Sequence, residues 1–159
     1  MKKMNSDLTQ VAIEWRKYVL AKNTLIKIGV NRSYKSSVGD FAEWLVARIF
    51  EGSLPESQSE SDYDVITKDK RIQVKSIAKM EGNPNGYKVK DKDKNNKIAT
   101  HYAFVYFKDL IPKEIYLTPK QYLTDYKKTQ VKIQDLRNTN YRIGFDLKLF
   151  EKEMPAHNY

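Results

Sequence analysis

Ser61-Asp62-Tyr63-Asp64-Val65-Ile66-Thr67 and Arg71-Ile72-Gln73-Val74-Lys75-Ser76, separated only by Lys68-Asp69-Lys70, bring an aspartate, a glutamine and a lysine close together in the chain. Carboxylate and carboxamide oxygens are hard donors that suit a small cation such as Mg2+, with Mn2+ as a substitute. A lysine ammonium beside them supplies the positive charge that an anionic transition state needs. The rest of the composition narrows the chemistry further. There is no cysteine, which excludes disulfides, zinc–thiolate centres and thiol catalysis. The two histidines, His101 and His157, lie far apart in the sequence, so a multi-histidine metal centre within one chain is excluded too.

These residues need elements that hold them together. Alternate side chains of a strand share a face, so Ile72 and Val74 point one way and Gln73 and Lys75 the other. Strands over 63–67 and 71–77, joined by the short polar turn, are expected to pair as a hairpin. Asp64 leads the first strand, and the three polar groups then converge at one end of the hairpin. Asp62 competes with Asp64, which is preferred because Val65 and Ile66 carry it directly into the strand.

Upstream, Leu8, Val11, Ala12, Trp15 and Val19 recur at helical spacing, predicting a helix over 6–22 capped by Ser6. Residues 24–35 fit a short strand or a continuation of that helix. A second helix is predicted over 37–51, with Ser37 and Asp40 as a capping box and Gly52 as the stop. Its main apolar arc is Val38, Phe41, Ala42, Leu45 and Ile49, and Glu43 lies outside that arc but off the fully polar side. Downstream, 81–97 reads as an exposed, mobile loop, followed by strands over 98–107 and 114–117. Thr118-Pro119-Lys120-Gln121 predicts a helix start capped by Thr118, with the helix ending near Tyr126. A strand over 131–136 and a less defined element over 142–149 complete the chain. Tyr102, Phe104 and Tyr106 read as sheet packing, and His101 as a strand-start residue. The order predicts one α/β domain over 1–159, with a mixed central sheet flanked by helices.

An aspartate at the start of one strand and Gln-x-Lys on the next resembles the PD-(D/E)XK nuclease signature. Gly39-Asp40-Phe41-Ala42-Glu43 offers the glutamate that members often carry on a preceding helix. The resemblance covers about 37–76 and departs at Gln73, where members mostly have a carboxylate. It implies a restriction-endonuclease-like fold and Mg2+-dependent hydrolysis of phosphodiester bonds in DNA. Asp64, Gln73 and Glu43 would then hold the metal and Lys75 would assist the attacking water, making Glu43, Asp64, Gln73 and Lys75 the catalytic set. Coordinates with these side chains far apart, or with Lys75 buried in an unrelated ion pair, would dispose of that reading. Two others stay open: a non-catalytic nucleic-acid-binding protein on the same scaffold, and a basic interaction module.

The net charge of +9 favours a polyanionic partner. Lys88, Lys90, Lys92, Lys94 and Lys97 crowd the 81–97 segment and can meet phosphates without reading sequence, with Arg71, Lys79 and Tyr87 as nearby candidates. One site cuts one strand, so a homodimer is expected for double-strand cleavage, with the elements after Phe107 as its interface. No apolar run approaches the roughly 20 residues that span a membrane, no secretory apolar segment follows the basic N-terminus, and a cytoplasmic location is expected.

Overall fold

The computed structural model describes residues 8–32, 37–56, 62–79 and 86–151, which divide into two compact units, 1–41 and 42–159. The first holds helix α1, Leu8–Lys27, and the start of helix α2, Ser37–Ile49. Helix α1 absorbs 24–27 and then turns at Gly29, whose φ is 79°. Ser6 and Asp7 lie outside the described residues. Ser37 and Asp40 are occupied differently from a simple capping box. The Ser37 hydroxyl accepts from the buried Lys22 Nζ at 2.6 Å, and the Asp40 carboxylate accepts the Arg32 amide at 2.9 Å.

The second unit is organised by a four-stranded mixed sheet in the order β1-β2-β4-β5, with β1 at Val65–Ile66, β2 at Arg71–Lys79, β4 at His101–Lys108 and β5 at Ile111–Pro119. The predicted hairpin is present: β1 pairs antiparallel with β2, and Thr67 closes the turn by accepting the Lys70 amide on its hydroxyl at 3.0 Å. Strand β2 then runs parallel to β4, and β4 antiparallel to β5. A parallel neighbour requires a crossover, here supplied by 86–100. Ser53 bridges Ile66 on the outer side of β1. That bridge explains Gly52: a Cβ there would stand 2.8 Å from the Ile66 carbonyl and from Val65 Cγ1. The left-handed residue ending α2 is Glu51, with φ 52°, so Gly52 is needed for close approach and not for its φ.

The segment 81–97 is not simply a loop. Strand β3, Gly86–Lys88, pairs antiparallel with β6, Gln130–Lys132, and a short helix α3, Asp91–Lys94, follows. Of 131–136, predicted as strand, only the start belongs to β6; helix α5, Ile133–Arg137, takes the rest. Helix α4, Lys120–Thr124, starts where expected, but Pro119 occupies the cap position and the Thr118 hydroxyl turns inward to the Tyr102 carbonyl at 3.3 Å. A single-turn 3-10 helix, Lys148–Glu151, ends the described chain.

The sheet face carrying Gln73, Lys75 and Ile77 is the one that β3, β6, α4 and α5 cover. Ile77, Tyr102, Phe104, Tyr106 and Tyr116 cluster there with Leu123, Val131, Ile133 and Leu136, and Tyr87 and Val89 pack against them. Tyr102, Phe104 and Tyr106 are therefore sheet packing, as their spacing predicts. In α2 the buried apolar residues are Ala42, Leu45, Val46 and Ala47, and Asp40 is buried as well. The apolar arc is thus rotated towards Glu43's side relative to the one read from the sequence.

Candidate functional site

Strand β1 is only two residues long, so the strand β2 amide of Val74 has no ladder partner on that side. Asp64 supplies one. Its backbone N–H donates to the Ile72 carbonyl at 2.8 Å, and its Oδ2 accepts the Val74 N–H at 2.8 Å. A buried amide must find an acceptor, and a short carboxylate side chain at this position meets that need. The β1–β2 register, continued by one residue, sets Asp64 opposite Gln73. The hydrogen bond fixes the carboxylate at the residue between Gln73 and Lys75. Those two side chains leave the same strand face about 7 Å apart, and both are partly buried. Asp62 is exposed, and its carbonyl accepts from the Asn96 amide at 2.6 Å.

Lys75 reaches into a cluster that the sequence did not advertise. Its Nζ stands 3.5 Å from Asp93 Oδ1, with the two side chains 12% and 3% exposed. The same ammonium lies 5.1 Å from the centre of the Tyr87 ring. Tyr87 donates its hydroxyl to Asp93 Oδ2 at 2.7 Å, and the Lys90 amide donates to that oxygen at 3.0 Å. Tyr102 anchors the helix from below, its hydroxyl donating to the Asp93 carbonyl at 3.0 Å. Burial pushes the Tyr102 hydroxyl up to about 12, and the charges of Asp93, Asp62 and Asp64 add to the effect. Tyr87 is raised further by burial, by its bond to Asp93 and, to a lesser extent, by Asp64. The ion pair of Lys75 is thus made with Asp93, a residue outside the predicted catalytic set.

The other predicted residues are more dispersed. Glu43 sits on α2, partly exposed and next to buried Ala42. Among the described residues no group of three or more Asp, Glu or His side chains is disposed to hold a metal ion. Backbone register sets Asp64, just ahead of β1, opposite Gln73 on β2. Mg2+ is commonly held by one or two carboxylates, waters and the substrate's own phosphates. A carboxylate and a carboxamide could at most contribute to an open site of that kind, not to a closed protein cage.

Lys88, Lys90, Lys92 and Lys94 are exposed, and Lys94 Nζ donates to the Tyr126 carbonyl at 3.1 Å. Arg71 Nε donates to the Ile98 carbonyl at 2.9 Å. Lys79 ends β2 opposite Lys108, and its side chain lies outside the described residues. His101 begins β4, where burial, together with the charge of Lys70, lowers its imidazole below the ordinary value. Asp93 was missed because it alternates with lysines in a run that reads as solvated; Tyr87 was seen only as a possible DNA contact. No family model and no curated protein matches this chain. Among the described residues no helix is long and apolar enough to cross a membrane.

Proposed function

We propose that this chain is an Mg2+-dependent DNA endonuclease on a restriction-endonuclease-like scaffold, acting on a duplex sequence or a branched structure. The observation that carries the reading is the Asp64 carboxylate held on the amide of Val74, the residue between Gln73 and Lys75 in β2. The PD-(D/E)XK resemblance calls for an aspartate beside the Gln-x-Lys strand, and a mixed sheet is compatible with it. Asp64 and Gln73, with Glu43 as a further candidate, would hold Mg2+ or Mn2+, which supplies charge neutralisation and an activated water when bound.

The remaining work falls to the protein. Hydrolysis forms a P–O bond to water and breaks the P–O bond to the leaving sugar oxygen, while negative charge grows on the phosphoryl oxygens. The Lys75 ammonium, partly withdrawn from water, meets that charge at low cost in reorganisation. Asp64 fixes the local strand geometry through Val74. Arg71, Lys79, Lys88, Lys90, Lys92 and Lys94 give sequence-independent hold on the phosphate backbone. Cutting both strands calls for two such sites, hence a homodimer.

The test is cleavage of supercoiled plasmid by purified protein in Mg2+, in Mn2+ and in chelator, beside Lys75→Ala. Metal-dependent cutting that is lost in the variant supports the reading. A second reading, a nucleic-acid-binding protein without catalysis, draws on the uncharged Gln73 and on the engagement of Lys75 with Asp93. It predicts salt-sensitive DNA binding with no cutting in either metal, and binding unaffected by Lys75→Ala.

A further inference from the structure

We infer that Asp93 and Tyr87 form a positioning device for Lys75, so that the lysine-rich segment builds part of the site and is not only a strip for phosphates. The inference rests on the nuclease reading above. Its basis is the arrangement of the three groups. Lysine carries a compact charge on a flexible four-carbon stem, and an unrestrained ammonium samples many positions. Here the stem leaves the sheet beside Phe104, its β4 neighbour, and the Tyr87 ring packs 6.3 Å from the Phe104 ring. The ammonium is held from two directions, by the Tyr87 ring face and by Asp93 Oδ1.

Asp93 itself is fixed. It is buried, it accepts from Tyr87 and from the Lys90 amide, and its backbone carbonyl accepts from Tyr102. Strand β3 cannot drift, because it is paired with β6 through Gly86. A Cβ at that position would stand 2.7 Å from the Val131 carbonyl, so only glycine lets the strands approach. The Lys75–Asp93 separation of 3.5 Å is long for a charge-assisted hydrogen bond, which runs about 2.7–2.9 Å. The ammonium is thus steered and only partly neutralised, leaving donors for a phosphoryl oxygen. Asp93 and Tyr87 are positioning residues; neither is assigned contact with substrate.

The experiment compares Asp93→Asn and Tyr87→Phe with wild type in single-turnover plasmid cleavage, with DNA affinity and thermal stability measured alongside. Asp93→Asn keeps the acceptor for the Lys90 amide and removes the charge. It is expected to slow cleavage about 10–100-fold, as loss of an outer-sphere orienting partner does, with DNA affinity within about twofold of wild type. Tyr87→Phe should slow it less. In a Lys75→Ala background, Asp93→Asn should cause no further loss of the residual cleavage that long single-turnover reactions detect, because groups acting as a unit are not additive. Lys75→Gln stands in if Lys75→Ala fails to fold. A wild-type rate for Asp93→Asn, or a full additional loss in the double variant, overturns the positioning role while leaving the nuclease reading intact. A wild type inactive on plasmid, short duplexes and junctions in both metals overturns the reading and the kinetic role with it. The Lys75 ammonium resonance, identified by its absence in Lys75→Gln, gives a check apart from activity: it should shift in both Asp93→Asn and Tyr87→Phe, and an unmoved resonance in both overturns the pairing.

Discussion

One face of the sheet carries two clusters built from the same parts, a buried carboxylate, a cation and tyrosines, and they are not alike. At one end Arg137 grips Glu114 with a fork, Nη2 to Oε1 at 2.7 Å and Nε to Oε2 at 3.2 Å, while its guanidinium lies 5.7 Å from the Tyr106 ring centre. Tyr116 donates its hydroxyl to the second oxygen. Nearer the middle, Lys75 touches Asp93 by one long contact, beside a further carboxylate, Asp64. The Arg–Glu cluster uses planar bidentate geometry and borders an open cavity of about 410 Å3 lined by Tyr106, Lys108, Lys113, Glu114 and Arg137. The Lys–Asp contact is single and longer. On the proposed reading, the first serves the fold and the second the chemistry.

The sharpest contrast comes from neutralising one acid in each cluster. Asp64→Asn preserves an acceptor for the Val74 amide but removes the charge, so metal-dependent cleavage should fall below detection while the melting temperature changes little. Glu114→Gln should do the reverse, lowering stability and leaving the cleavage rate of the folded protein unchanged. If both variants lose activity in proportion to stability, the two clusters are both structural and the assigned site is wrong.

Arg137→Ala comes next. It strands Glu114, which is 8% exposed, without its fork. Stranding a fully buried charge costs about 3–5 kcal/mol; because Arg137 is half in water, a loss of about 2 kcal/mol is expected from denaturant unfolding. The pH dependence follows from the same pair. Burial pushes the Glu114 carboxyl up, but hydrogen bonds from Arg137 and Tyr116 and the charge of Arg137 outweigh it and hold the group below its ordinary value. A depressed folded-state value stabilises the protein above the unfolded value, and that stability is lost as pH falls through the folded one. Wild-type stability should therefore drop on acidification from just below the ordinary glutamate range, and the drop should shrink in Arg137→Ala. An unchanged acid profile in the variant would remove Glu114 as its source.

Gln73→Glu sharpens the comparison from the side of the site. It adds a carboxylate opposite Asp64, and ligand charge tunes affinity for hard cations. Half-maximal cleavage should need roughly tenfold less Mg2+. No shift would mean that Gln73 does not ligate the metal.

How much of this could be read from the sequence depends on whether a local signal existed. The hairpin was legible because the turn Lys68-Asp69-Lys70 is polar and short, and the Gln-x-Lys alternation follows from strand geometry alone. Strand β5 is longer than predicted because the β4–β5 turn is Asp109-Leu110, both at positive φ, 52° and 65°. Hairpin turns of this kind usually advertise themselves with glycine or asparagine; leucine gives no such signal. Val131 and Ile133, both buried, are two apart, a strand spacing, whereas Ile133 and buried Leu136 are three apart, a helical one; the strand signal of the first pair overruns the start of α5. The Lys75–Asp93–Tyr87 cluster was illegible for another reason. It is made by pairing β3 with β6 across the whole β4–β5 hairpin, and a lysine-rich run carries no mark of which residue turns inward.

The smallest effect separates the inward half of that run from the outward half. Lys88, Lys90 and Lys92 are exposed, while Asp93 beside them is 3% exposed. If the exposed lysines meet phosphates, each alanine substitution should lower the slope of log affinity against log salt by about 0.9 for duplex DNA, uniformly across sequences. Cleavage at saturating DNA should be untouched, since none of the three reaches Lys75 in the way Asp93 does. The measurement is a salt titration of binding for the triple alanine variant, with single-turnover cleavage at saturation beside it. An unchanged slope would move the DNA track away from α3, leaving Arg71 and Lys79 to carry it. A reduced rate at saturation would mean that the segment cannot be divided into a face for phosphates and a face for the site.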